Sequence, residues 1–171
     1  RRRDRPASIL PSASRACSWC RYAVTATAAD LDSASHIVLP GQGAFGDCMA
    51  GLTALPGMIE ALEKNVRQKG KPFFGICVGM QLLADRGLEH GEHKGLGWIG
   101  GEVIRMAPAN LKIPHMGWNT LSFPKPHPLF AGLEEGAHVY FVHSYHFAAK
   151  NDADIAAACD YGGKIAAAIS K

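Results

Sequence analysis

Cys77 stands between two glycines in Gly75-Ile76-Cys77-Val78-Gly79, at the end of the apolar run Pro72-Phe73-Phe74-Gly75-Ile76. One residue between each glycine and the cysteine is the spacing of a nucleophile elbow, with cysteine where G-x-S-x-G carries serine. The turn from strand into helix is tight there, so a Cβ on either side of the nucleophile has little room. A helix starting near Val78 would point unpaired amides and the positive end of its dipole at the sulfur, which favours the reactive thiolate. A strained backbone at Cys77 is expected with it. The competing reading is a small apolar filler, because free cysteine is among the most buried residue types.

A second glycine-rich turn, Pro40-Gly41-Gln42-Gly43, follows the apolar run His36-Ile37-Val38-Leu39. Two such turns at the carboxyl edge of neighbouring parallel strands lie where open α/β sheets place their sites. Glycines leave the N–H groups of this turn uncovered, which suits an oxyanion hole with donors from Val78 and Gln42. Donors of this kind contribute about 3 kcal/mol each to the transition state. Pro-Gly-x-Gly by itself is also an ordinary turn.

The elements that must position these residues read as alternating strands and helices. Tyr22-Ala23-Val24-Thr25-Ala26-Thr27 alternates as a strand, and the runs ending at Gly41 and Cys77 are two more. Residues 47–69 read as helical, interrupted near Pro56 and Gly57 and stopped by Gly70. Residues 78–87 predict a helix start, 96–106 a strand, and 138–149 a strand with a polar end. Two apolar runs joined by Asp160-Tyr161-Gly162-Gly163 predict a closing hairpin. Alternation of this kind implies a mostly parallel sheet covered on both faces.

The 171 residues, 47% of them hydrophobic, suffice for one domain with a substantial core. No run of about 18 apolar residues suggests a membrane span, and the start lacks the apolar stretch of a secretory signal, so a cytoplasmic protein is expected. Five scattered cysteines disfavour a disulfide scaffold. The formal charge of +3 is an uneven one: residues 1–21 carry +5, which leaves −2 for the rest and no footprint for nucleic acid. Those first residues read as a disordered or out-of-frame leader, and residues 22–171 as the domain. Cys17 and Cys20 form a C-x-x-C without a second ligand pair, and the histidines of His143-Ser144-Tyr145-His146 have no third ligand at recognisable spacing, so no metal is expected.

Four segments in order, "IVLPGQGAFGDCM", "GICVGMQLL", "IPHMGWN" and "YFVHSYHF", resemble class I glutamine amidotransferases, and among them the glutaminase subunits of imidazole glycerol phosphate synthase. The resemblance implies a three-layer, flavodoxin-like α/β domain that hydrolyses glutamine through a thioester, without a cofactor. It implies a heterodimer in which the ammonia passes to a (β/α)8-barrel cyclase of histidine biosynthesis. Carried over by position, Cys77 is the nucleophile and Gln42 and Val78 are the oxyanion donors. Gly41, Gly43, Gln81, Glu89, Ser144 and Tyr145 surround the glutamine, and His115, Met116, Trp118 and Asn119 face the cyclase.

A cysteine nucleophile also needs a base. The family draws it from a Phe-His-Pro-Glu-like run, which none of these 171 residues matches: the one His-Pro, at His127, lies in "PHPLFAGL". The family's opening strand and its Asp-Tyr-Gly-x-Gly-Asn-like turn are not recognisable in residues 1–20 either. An incomplete sheet, marginal stability alone and turnover reduced by at least about 10² to 10⁴ are the corresponding expectations. Two alternatives stand beside this reading: the glutaminase of another class I amidotransferase, such as that of pyridoxal phosphate synthesis, and a non-catalytic flavodoxin-like binding module.

Overall fold

The computed structural model describes residues 21–171; the expected leader and the Cys17/Cys20 pair lie, but for Arg21, outside them. The first long-range pairing joins β1 (Ile37–Gly41) to β2 (Phe73–Cys77) in parallel, in an unbroken register from Ile37↔Phe73 to Gly41↔Cys77. Parallel neighbours need a crossover connection, and α1 (Phe45–Thr53) and α2 (Met58–Leu62) supply it. The predicted interruption between them falls at Pro56 and Gly57, with Gly57 at φ +70° where a side chain would be strained. α2 runs on as a wider π-helical turn over Glu63–Gln68, and Gly70 at φ +69° ends it. That turn places Asn65 fully inside, where its amide donates to the Ala61 carbonyl and the Asp32 carboxylate.

β2 leads directly into α3 (Val78–Gln81), which is a single turn. The chain then bends back, because Asp85 exchanges hydrogen bonds with Gly101: its N–H reaches the Gly101 carbonyl and its Oδ2 accepts the Gly101 N–H. The short strands β3 (Arg86–Gly87) and β4 (His93–Lys94), with β5 (Gly101–Arg105) and β8 (Tyr145–Ala149), make a second sheet in the order β4-β3-β5-β8. β6 (His115–Thr120) pairs with β7 (His138–His143), and β9 (Ile155–Asp160) with β10 (Lys164–Ile169). The main core lies between the crossover helices and these sheets, around Phe45, Leu62, Leu82, Val103 and Phe147.

Three expectations change. The parallel character is confined to β1–β2 and β3–β5, and the other strand pairs among the described residues are antiparallel. A connection as short as Tyr161-Gly162-Gly163 cannot cross over, so it yields the antiparallel hairpin. Residues 22–27 are in no strand: Tyr22 and Val24 are exposed, and an alternating segment without a partner has nothing to pair with. The strand expected over 138–149 is two, bent at Ser144, with β7 joining β6 and β8 joining β5.

Candidate active site

Cys77 has φ 57° and ψ −120°, outside every region that an L-residue occupies freely, and its side chain is exposed. Such backbone costs on the order of 1–3 kcal/mol and persists only where the surroundings impose it. Here they do. A Cβ on Gly75 would lie 2.6 Å from the Gly79 carbonyl oxygen, one on Gly79 would overlap the Leu39 carbonyl, and one on Gly41 would sit 2.6 Å from the Gly79 nitrogen. The three glycines let β1, β2 and the start of α3 interlock, and Cys77 is the residue left at the apex.

The short α3 alters one expectation. A one-turn helix gives little dipole, so support for a thiolate at Cys77 must come chiefly from local N–H groups rather than from a long helix. Of those groups, Val78 follows the nucleophile directly. Ile37 N–H donates to the Pro72 carbonyl, and carrying that ladder alternation along the unbroken register aims the Gly41 carbonyl at Val78. The Gln42 carbonyl accepts from the Cys48 thiol at 3.1 Å, and Gly43 holds φ +98°. The donors proposed from sequence are therefore neighbours in space, on a turn whose carbonyls are held by β2 and α1.

Cys48 is the residue that sequence reasoning missed. Burial pushes its thiol up, and the nearby charges of Asp47, Cys77 and Glu89 act in the same direction. Cys159 is pushed up to about 11 by burial and by Asp160. With one equivalent of iodoacetamide near neutral pH, peptide mapping should therefore find label on Cys77 ahead of Cys48 and Cys159. Label on Cys48 first would mean that Cys77 is not the accessible thiol of the three.

The glutamine-binding candidates divide into two groups. Glu89 Oε2 accepts the Phe45 N–H at the start of α1 (2.9 Å), which fixes the carboxylate beside Cys48 and leaves Oε1 without a hydrogen-bond partner among the described residues. Gly87 makes this approach possible, because a Cβ there would enter the Phe45 ring. Gln81 Nε2 donates to the Tyr145 carbonyl at 3.3 Å, across from α3 to β8, and the Ser144 carbonyl accepts from Met106 N–H. Gln81, Ser144 and Tyr145 thus meet where β7 bends into β8.

The four residues expected to face a partner do not share a face. Met116 and Trp118 point outward, 60% and 72% exposed, and their cross-strand neighbours Val142 and Tyr140 continue the stripe. His115 is 3% exposed, and with Asn119 it belongs to the inner face of the same hairpin. Alternation along a strand separates them. Among the described residues no three metal-ligating side chains converge.

A family model, Glutamine amidotransferase class-I, matches residues 13–171. The chain is 55% identical over 144 residues to the imidazole glycerol phosphate synthase subunit HisH of Agrobacterium fabrum, covering 81% of this chain and 67% of the relative. It is 51% identical over 144 residues to that of Cereibacter sphaeroides, covering 83% and 68%, and 51% identical over 153 residues to that of Brucella suis, covering 86% and 71%. The chain thus spans about two thirds of the length of these relatives. A solved structure described as a glutamine amidotransferase superposes with a TM-score of 0.57 at 19% identity, over 78% of this chain and 65% of that one, a likeness of fold. The strained cysteine turn, its interlocking glycines and the family match over nearly the whole length lead to one assignment: the chain belongs to the class-I glutamine amidotransferases.

Proposed function

We propose that residues 22–171 form a glutaminase domain that cleaves the side-chain amide of glutamine at Cys77 and delivers the ammonia to a cyclase subunit making imidazole glycerol phosphate, in the cytoplasm. The observation that carries this reading is the exposed Cys77 at a backbone geometry enforced by Gly41, Gly75 and Gly79. The Cys77 thiolate adds to the glutamine Cδ, the carbonyl π electrons move onto oxygen, and the N–H groups of Val78 and Gln42 receive the oxyanion once the Gly41 carbonyl turns away from Val78. Collapse breaks the C–N bond, the nitrogen takes a proton and leaves as ammonia, and a thioester remains. Water then adds to the thioester, releasing glutamate and restoring the thiolate.

Glu89 suits the α-ammonium of the substrate, since one of its oxygens is held by Phe45 N–H and the other is free of protein partners among the described residues. The backbone around Ser144 and Tyr145 suits the α-carboxylate. Among the described residues Cys77 Sγ has no hydrogen-bond partner, so the proton carrier is not one of its contacts there. Glutamate release by the full-length chain with its cyclase subunit tests the reading. No release, and no covalent label on Cys77 from an electrophilic glutamine analogue, would overturn it.

The stripe of Met116, Trp118, Tyr140 and Val142 supports a heterodimer contact with a (β/α)8-barrel cyclase. Trp118 packs edge-on against Tyr140, with ring centroids 5.6 Å apart, and so offers a fixed aromatic anchor. Trp118→Ala should raise the cyclase Kd about 30-fold or more, the size of a central hot spot. Calorimetry on the two purified subunits measures it, and an unchanged Kd would remove the stripe from the interface.

A further inference from the structure

Behind that stripe, the inner face of β6 and β7 carries a line of hydrogen bonds. The His115 ring lies between Phe141 and Tyr161, stacked at centroid distances of 4.6 and 3.9 Å. Its Nδ1 is 3.0 Å from His143 Nε2, and His143 Nδ1 is 2.9 Å from the Tyr145 carbonyl oxygen, the same oxygen that accepts from Gln81 Nε2. On the other side His115 Nε2 is 3.4 Å from Asn119 Nδ2, which also donates to the Asp160 carbonyl at 2.8 Å, while Asn119 Oδ1 accepts the Thr120 N–H.

The chemistry of these partners fixes every hydrogen. A carbonyl only accepts, so His143 carries its proton on Nδ1; its Nε2 then accepts from His115 Nδ1–H, and His115 Nε2 accepts from Asn119. The Asn119 amide cannot turn over without facing two oxygens together at Asp160 and losing Thr120. The line therefore has one consistent arrangement, with both imidazoles neutral and both protons on Nδ1. A further proton on His143 turns the pair around and sets His115 Nε2–H against the Asn119 NH₂. A further proton on His115 does the same directly.

We propose that His115 and His143 are positioning residues, a proton-ordered pair that fixes the Tyr145 carbonyl and, through it, the Gln81 side chain beside the nucleophile turn. The proposal rests on the glutaminase reading above for the meaning of Gln81, and on the hydrogen-bond line alone for the pair itself. The pair joins the inner side of the partner-facing hairpin to the α3 turn through four consecutive polar contacts. Packing around it is apolar or neutral on most sides. The titratable groups tied to it are His146 on β8, which burial and then the neighbouring His143 push down, Asp160 at the end of β9, whose carbonyl accepts from Asn119, and Tyr161, whose ring stacks on His115. Burial, and then the neighbouring His143, hold the His115 imidazole below its ordinary value of 6.5. Because the folded form disfavours the proton, the arrangement is complete above that value and is lost as pH falls below it.

Two measurements test the pair. In ¹⁵N-histidine spectra of the full-length chain near pH 7.5, assigned with His115→Phe and His143→Phe, both residues should show the Nδ1–H tautomer. An Nε2–H tautomer at either position would overturn the proposal whether or not the protein hydrolyses glutamine. In the complex with the cyclase, His115→Phe keeps the stack but cuts the line, and should raise the KM for glutamine about tenfold with kcat within about twofold. His115→Asn, which can still donate toward His143, should recover most of the loss. The wild-type KM should climb as pH falls below 6.5, and the His115→Phe KM should not follow it. Equal KM values for wild type and His115→Phe at every pH would also overturn the pair, whereas a wild type that releases no glutamate would instead overturn the glutaminase reading.

Discussion

Replacing Cys77 by glycine in the full-length chain should abolish glutamine hydrolysis and, in the same variant, raise stability by about 1–2 kcal/mol. The two effects come from one backbone. At φ 57° and ψ −120° a cysteine carries strain that glycine does not feel, so removing the side chain relieves the cost of the native geometry. Removing the sulfur leaves no group able to form the thioester. Cys77→Ser separates the contributions, because the strain stays while the nucleophile becomes a hydroxyl that ionises far less readily than a thiol. Its turnover should fall by at least about 10⁴-fold, with denaturation midpoint close to wild type. Glutamate release and urea unfolding on the same three proteins give both readings. A Cys77→Gly variant no more stable than wild type would show that the turn is relaxed, and activity retained in Cys77→Ser would move the nucleophile elsewhere.

Gly79→Ala should be the most damaging single methyl in the molecule. The added Cβ would overlap the Leu39 carbonyl oxygen and approach the Leu39 carbonyl carbon within 2.9 Å. Both atoms belong to the backbone of β1, which is tied to β2 along its whole length, so no side chain can swing away. Separation of β1 from the elbow would follow, at a cost of about 3–5 kcal/mol, a large share of what holds a domain of this size together. Gly51→Ala is the matching control: nothing lies within 4 Å of its Cβ position, it sits within α1, and the substitution should stabilise by about 0.5–1 kcal/mol. Thermal unfolding of the two variants compares a crowded glycine with a free one. A Tm for Gly79→Ala within a few degrees of wild type would mean that the close approach of β1 is not needed.

The elbow was legible in the sequence because its chemistry demands small neighbours at fixed spacing, and glycine writes that demand directly. The β1–α1–α2–β2 unit and the closing hairpin were legible for a related reason: Gly57, Gly70 and the Tyr161-Gly162-Gly163 turn mark local backbone requirements. Residues 22–27 misled because alternation describes which way side chains point and says nothing about whether a partner strand exists. The bend at Ser144 was hidden because the residues on both sides are equally strand-like, and only tertiary pairing of β7 with β6 and β8 with β5 divides them. His115 and Trp118 share a motif in sequence but face opposite ways, a separation that period-2 alternation forces once the segment is known to be a strand. The thiol of Cys48 and the His115–His143 pair had no local signal, since they depend on partners 6 and 28 residues away.

The crowding around Gly41, Gly75 and Gly79 bears on how this protein can change over generations. Those glycines are demanded by the packing of backbone against backbone, whereas the cysteine they present is demanded only by the reaction. A descendant that abandons the reaction can exchange the cysteine at once and gain robustness by doing so, yet it must keep all three glycines to remain folded. In such a lineage the frame around the sulfur would outlive the sulfur itself.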